Sequence, residues 1–198
     1  MIRAAKTAAR RLTVVLTATV LLFAAAAGAA GESPLAGRLT EGGRVLMIRH
    51  ALAPGSGDPA GFTVGDCTTQ RNLNEQGRSQ ARAIGTWLRD RGVTSARVYS
   101  SQWCRCLETA ELIGLGPVTE LPALNSFFQR PEDRQPNLAA LRTFLANQPP
   151  DGKLIVLVTH FVTISGIAGK GVSSGEGVVL QLDGEGGFDV MGRIGFDA

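Results

Sequence analysis

The sequence predicts an α/β fold: a three-layer α/β/α sandwich with a mostly parallel central sheet and an antiparallel edge strand. Three observations carry this. Short apolar runs alternate with amphipathic stretches, as in "RVLMIR" (44–49), "NEQGRSQARAIGTWLRDRG" from Asn74, and "ARVYSS" (96–101). That alternation is the pattern of strand–helix–strand units. "KLIVLVTH" (153–160) is apolar nearly throughout, which suits a parallel strand covered on both faces. The C-terminal "EGVVLQLDGEGGFDVMGRI" has a Gly-rich centre and reads as a hairpin that supplies the antiparallel edge.

The elements follow in order. Residues 1–30 pair a basic start, "MIRAAKTAARR", with an apolar run that fades into small residues, the layout of a secretory signal peptide. The competing reading is an uncleaved anchor, because the run is nearly long enough to span a bilayer; small-x-small sites such as Ala27-Gly28-Ala29 favour cleavage. Arg10-Arg11 lacks the surroundings of a twin-arginine signal. Residues 31–198 are then one domain, with a loose start at 31–43 and a first strand at 44–49. The Gly- and Pro-rich segment 51–72 is a long loop, and loops of that length are functional or disordered.

From Asn74, Gly77, Ala81, Ile84 and Leu88 share one helical face, with Asn74 as cap and Gly92 as stop. "QWCRCLETAELIG" (102–114) is the next helix and "VTELPAL" a short strand. "NLAALRTFLANQ" (137–148) is a third helix, ended by Pro149-Pro150. "FVTISGIAG" makes a last short helix after the strongest strand.

Charge excludes one class of partner. The chain holds 20 Lys and Arg against 17 Asp and Glu. Arg3, Lys6, Arg10 and Arg11 lie in the leader with no acid, so the remainder is balanced to within one charge. Such a domain offers no nucleic-acid surface. No second apolar span follows the leader, so a cleaved protein has no membrane span and is periplasmic or secreted. A monomer or weak dimer is expected.

The three cysteines are Cys67, Cys104 and Cys106. In an oxidising compartment Cys67 would pair with Cys104 or with Cys106, leaving one thiol. A zinc site is the alternative, but "CRC" has the wrong spacing and no histidine lies near it.

The chemistry is expected where strands end, since ligands of such sheets bind at the carboxyl ends of the strands. His50 ends the first strand and His160 the strongest one; Arg49 adjoins the first, and Arg105 opens the helix after "VYSS". These are the only two histidines of the chain. Two guanidiniums clamp an oxyanion through paired charged hydrogen bonds, helix N-termini add donors, and a neutral imidazole is a nucleophile. The set fits phosphoryl transfer, in which arginines supply the electrostatic work and no metal or cofactor is called for.

"MIRHA", "YSSQWCRCLETA" and "LVTHFVTISGI", in that order, resemble the histidine phosphatase superfamily, also called phosphoglycerate mutase-like. "NLNEQGRSQARAIG" is similar to that family's helix start. The resemblance implies a phosphoglycerate mutase-like fold and a histidine acid phosphatase-type hydrolase: His50 takes the phosphoryl group as a phosphohistidine, and Arg49, Arg105 and a protonated His160 bind its oxygens. It implies Cys67–Cys104 as the disulfide, because the position of Cys106 is usually a small buried residue in the family.

This sequence departs from the family at Ala51, where many members have glycine, and in lacking an acid at either position where the family places its proton donor. Glu176 is the first substitute, then Asp58, Asp66 and Glu120, while Glu108 is expected to orient Arg105. The implied substrate is a phosphorylated small molecule or envelope glycan. The alternatives are a phosphate-binding protein with little or no turnover, and a phosphomutase.

Overall fold

The computed structural model describes residues 35–196 and Met1, so the leader lies outside the described residues apart from its first residue. Residues 35–196 belong to one compact unit. Its sheet has six strands: β1 (Arg44–Arg49), β2 (Arg97–Ser100), β3 (Val118–Glu120), β4 (Ile155–Thr159), β5 (Gly177–Leu182) and β6 (Phe188–Ile194). Their spatial order is β3-β2-β4-β1-β5-β6. The first four are parallel, and β5 and β6 run antiparallel at one edge. Four helices lie between them: α1 (Glu75–Asp90), α2 (Cys104–Ile113), α3 (Arg134–Ala146) and α4 (Phe161–Ala168).

The layers follow from the two-residue period of the strands. Leu46, Ile48, Val156 and Val158 face α1 and α2 through Ile84, Leu88, Ala110 and Ile113. Val45, Met47, Ile155 and Leu157 face α3 and α4 through Leu138, Leu141, Ile164 and Ile167. β1 and β4 are therefore apolar on both faces, which is why they read as unbroken apolar runs.

Local chemistry sets the helix ends. The Asn74 side chain accepts from Gly77 N at 2.8 Å and caps α1, while α2 stops at Gly114, whose φ of 68° lies in the left-handed region. α3 begins at Arg134, earlier than the sequence pattern indicates, because Pro136 sits in the first turn, where no amide hydrogen is required. Residues 35–43 are not a loose start: Ala36 and Leu39 are fully buried beside Trp87, Leu88 and Val93. Among the described residues no helix is long and apolar enough to cross a membrane.

Candidate active site

β1 and β4 pair in register, with Arg49 opposite Thr159, and His50 N donates to Thr159 O at 2.9 Å. Each strand is followed at once by a histidine, so the spacing of adjacent strands places the two rings together. Their centroids are 5.5 Å apart with the planes at 67°. The chain beyond His50 is tied down by Thr109 Oγ1, which accepts from Ala51 N at 3.1 Å, and Gln80 Oε1, which accepts from Leu52 N at 3.0 Å. Gly77 lets α1 approach this segment, since a Cβ there would lie 2.0 Å from Leu52 O. Among the described residues only glycines have positive φ, so the backbone at Ala51 requires no glycine.

Both histidines are buried and neutral. Burial first, then the Arg105, Arg71 and Arg49 charges, push His50 down to about 3, against an opposing bond to the Ala51 carbonyl. Nδ1 lies 2.8 Å from that carbonyl and carries the proton, which leaves the Nε2 lone pair free. His160 is held well below its ordinary value by burial first, then by His50 and the same three arginines. That depression runs against the expectation of a protonated His160 and leaves its protonation to an arriving anion.

His160 Nε2 lies 2.9 Å from Ser101 Oγ and 3.5 Å from Cys106 Sγ, and its ring stands edge-on to Trp103 at 5.4 Å. Burial pushes the Cys106 thiol up to about 12, so it stays protonated and inert.

A cavity of about 230 Å³ opens on these rings, lined also by Arg49, Arg105, Asp58 and Arg71. The structure thus brings together His50, Arg49, Arg105 and His160, the four residues placed at strand ends. Arg105 is buried at the start of α2, its Nη1 and Nη2 bonded to Asp58 Oδ1 and Oδ2 at 2.7 and 3.1 Å. Asp58 also accepts from Arg71 N and Trp103 Nε1, each at 3.0 Å. Burial pushes its carboxyl upward, but these bonds and the Arg105 charge prevail and hold it below its ordinary value.

Arg71 was not singled out in the sequence. Its guanidinium reaches Gly57 O at 2.7 Å and also bonds Ala53 O. The only sequence signal was its place just before the Asn74 cap, in "QRNLN". Three guanidiniums, one carboxylate and two neutral imidazoles give the cavity two excess positive charges. That excess adds to burial in lowering Arg49 and Arg71 from their ordinary values. Buried Nε of Arg49 and of Arg105 have no hydrogen-bond partner.

The acid candidates sort differently. Glu176 does not reach the cavity: Oε2 accepts from Ser173 N at 2.8 Å and pairs with Arg193 at 2.6 Å, closing a local turn. Its main chain serves the site instead, as Glu176 O accepts from Arg49 N at 3.0 Å. Asp66 caps the turn at Thr68, and Glu120 accepts from Gln102. Glu108 pairs with Arg78 at 3.2 Å rather than orienting Arg105. Cys67 is bonded to Cys104, joining the 51–72 loop to α2.

Fold and site together define an α/β protein with a cationic cage around an imidazole at the carboxyl ends of its central strands. The sequence model of the histidine phosphatase superfamily (branch 1) matches residues 45–134, which supports assigning the chain to that superfamily and a phosphatase-type function. Solved structures of similar fold include the protein histidine phosphatase SixA complexed with tungstate: 20% identity, 77% of this chain, 97% of that one, TM-score 0.56. A putative phosphohistidine phosphatase SixA from Nakamurella multipartitia matches at 18% identity over 76% and 94% of the two chains, TM-score 0.54. Bacillus stearothermophilus YhfR matches at 18% over 75% and 95%, TM-score 0.55. At these identities the likeness is one of fold. No curated protein matches the sequence.

Proposed function

We propose that the protein is an exported phosphohydrolase that removes phosphate from monoesters through a phosphohistidine on His50. The observation that carries this reading is a neutral His50, its Nδ1 proton held by Ala51 O, inside a cage with two excess positive charges. A phosphomonoester brings close to two negative charges at neutral pH. Nε2 attacks phosphorus, the P–O ester bond breaks, and the oxygen leaves with the electron pair and takes a proton from water. Water then attacks the phosphohistidine, the P–N bond breaks back to His50, and phosphate departs. Arg49, Arg71 and Arg105 hold the three non-bridging oxygens as charge shifts. His160 takes up a proton when the dianion arrives, because the anion reverses the local field. Tungstate, the ligand of one SixA structure, is an oxyanion of the same shape as phosphate.

Export is supported by the signal-like leader and by the Cys67–Cys104 bond, which suits an oxidising compartment. A second reading, a phosphate-binding protein with little turnover, is favoured by one observation: Asp58 is held ionised, and no other carboxyl lines the cavity among the described residues.

The test is phosphate release by the purified protein from a panel of monoesters in EDTA, beside His50→Ala. Release that vanishes in the variant supports the hydrolase. Phosphate that only raises the unfolding temperature, with no ester cleaved, supports the binding protein.

A further inference from the structure

Apart from Met1, the described residues leave two large apolar side chains well exposed, Phe128 (60%) and Phe161 (46%), and both line the cavity that holds His50. Scattered exposed apolar residues mean little, but two rings confined to the mouth of one reactive cavity mark a contact surface. The Phe161 ring is fixed from two sides. It lies against Gly171, where an added Cβ would come within 2.6 Å of the ring. The Arg49 guanidinium lies over it at 5.7 Å.

The rest of the outer wall is uncharged. Val162, Ser126, Gln129 and the 55–57 segment line it, and among the described residues no cation lines the cavity outside the arginine cage. Gln129 is already engaged at both ends, accepting from Asp58 N at 2.6 Å and donating to Asp58 O at 3.1 Å. A leaving group here meets carbon faces, with few donors for a sugar and no partner for a second phosphate or a carboxylate.

Proton supply points the same way. Asp58 is held as a carboxylate by Arg105, Arg71 and Trp103, and Glu176 is turned to Arg193, so neither donates a proton to a departing oxygen. An aliphatic alkoxide, about as basic as hydroxide, needs such a donor. A phenoxide, at about 10, leaves without one.

We propose that Phe128 and Phe161 form the leaving-group wall of this cavity and that its substrate is the phosphate monoester of an aryl alcohol. This rests on the hydrolase reading. Cleavage breaks the bond between phosphorus and the phenolic oxygen, which departs as the phenoxide and is protonated by water.

The experiment compares kcat/KM of the full chain for 1-naphthyl phosphate, phenyl phosphate, glycerol 2-phosphate, phosphoimidazole and acetyl phosphate. The two aryl esters are expected to exceed glycerol 2-phosphate by about a hundredfold, the lower end of what a missing general acid forfeits. Naphthyl should exceed phenyl phosphate, since these leaving groups are alike in basicity and differ in ring area. In Phe128→Ala the naphthyl-to-phenyl ratio should fall about tenfold, as expected from losing one ring contact and its buried area. Phe161→Leu, which keeps carbon against Gly171, should shift the ratio in the same direction. Equal rates for glycerol 2-phosphate and phenyl phosphate would overturn the inference and leave the hydrolase intact. So would a ratio indifferent to both variants, as for a wall that docks another protein, or a preference for phosphoimidazole. No turnover of any probe, acetyl phosphate included, would overturn the hydrolase reading itself and this inference with it.

Discussion

Asp58 lies across the guanidinium of Arg105, each terminal nitrogen bonded to one carboxylate oxygen, with both side chains almost wholly buried. The arrangement is the one an arginine makes with a phosphate edge. Asp58 therefore keeps Arg105 paired and aimed, and it competes with a ligand for the same nitrogens.

Asp58→Asn separates these two effects. Breaking a buried pair from one side costs about 3–5 kcal/mol, less here because the amide still accepts one bond. The variant should unfold at lower temperature without ligand, yet bind inorganic phosphate more tightly, since the cage gains a positive charge. Calorimetry of phosphate binding checks it. Weaker binding in the variant would show that Asp58 positions Arg105 without competing.

The buried histidines give stability a defined pH dependence. Both have folded values depressed below their unfolded value of about 6.5. Above that pH neither state binds the proton, so stability is flat. Below it the unfolded chain takes up protons that the folded chain refuses, so stability falls by up to about 1.4 kcal/mol per pH unit for each histidine. For His50 the loss continues toward its folded value of about 3. Urea denaturation at pH 7.5, 6 and 5 should show the decline, with a shallower slope in His50→Asn. Saturating phosphate should flatten it further by favouring protonated His160. A flat profile across this range would mean that the histidines are not held neutral.

The strand ends were legible in the sequence, and the loop was not. His50, His160, Arg49 and Arg105 are fixed by backbone: Arg49 ends β1, the histidines follow β1 and β4 at once, Arg105 opens the helix after β2, and parallel register brings these strand ends together. Asp58 and Arg71 lie in a Gly-rich segment without a period. Their positions depend on contacts with Trp103, Gln129 and α2 that no local pattern encodes. Glu176 misled for a related reason. An acid that opens a strand beside the site looks poised to act, but Ser173 N and Arg193 satisfy it locally. The depressed value of His160 was not legible because the sequence shows the arginines without showing how deeply the ring is buried.

The disulfide holds this loop, so its loss should reach the site. Cys67 and Cys104 are 37 positions apart, and a closed loop of that size limits the unfolded chain by about 4 kcal/mol in the chain-entropy account. Cys67→Ser should lower the unfolding temperature accordingly. It should also weaken phosphate binding, because Asp58 and Arg71 lose their tether to the helix that carries Arg105. Mass spectrometry of non-reduced peptides verifies the bond, and phosphate titration of the variant reads the second effect. Unchanged phosphate affinity would mean that Trp103 and Gln129 suffice to place the loop.

The proton on His160 is set three residues away. Asn125 Oδ1 accepts from Gln102 N at 2.9 Å, and Nδ2 donates to Gln102 Oε1 at 2.9 Å, which fixes the amide. Ser101 Oγ, 3.1 Å from that Oδ1, must donate to it. Its lone pairs then accept from Trp103 N at 3.3 Å and from His160 Nε2 at 2.9 Å. His160 is thus the Nε2–H tautomer, with Nδ1 free to be protonated when a dianion enters. Ser101→Ala removes the acceptor and leaves the ring to choose its tautomer. The cost is about 1–3 kcal/mol of stability from an unpaired buried donor. A drop of about tenfold in kcat, with a smaller change in KM, is expected, because the interaction that is lost strengthens as charge builds on the phosphoryl group. Ser101→Thr should restore most of the rate by restoring the hydroxyl. Nitrogen NMR of His160 in the two variants distinguishes this from simple destabilisation: the Nε2–H signal should broaden or vanish in Ser101→Ala and return in Ser101→Thr.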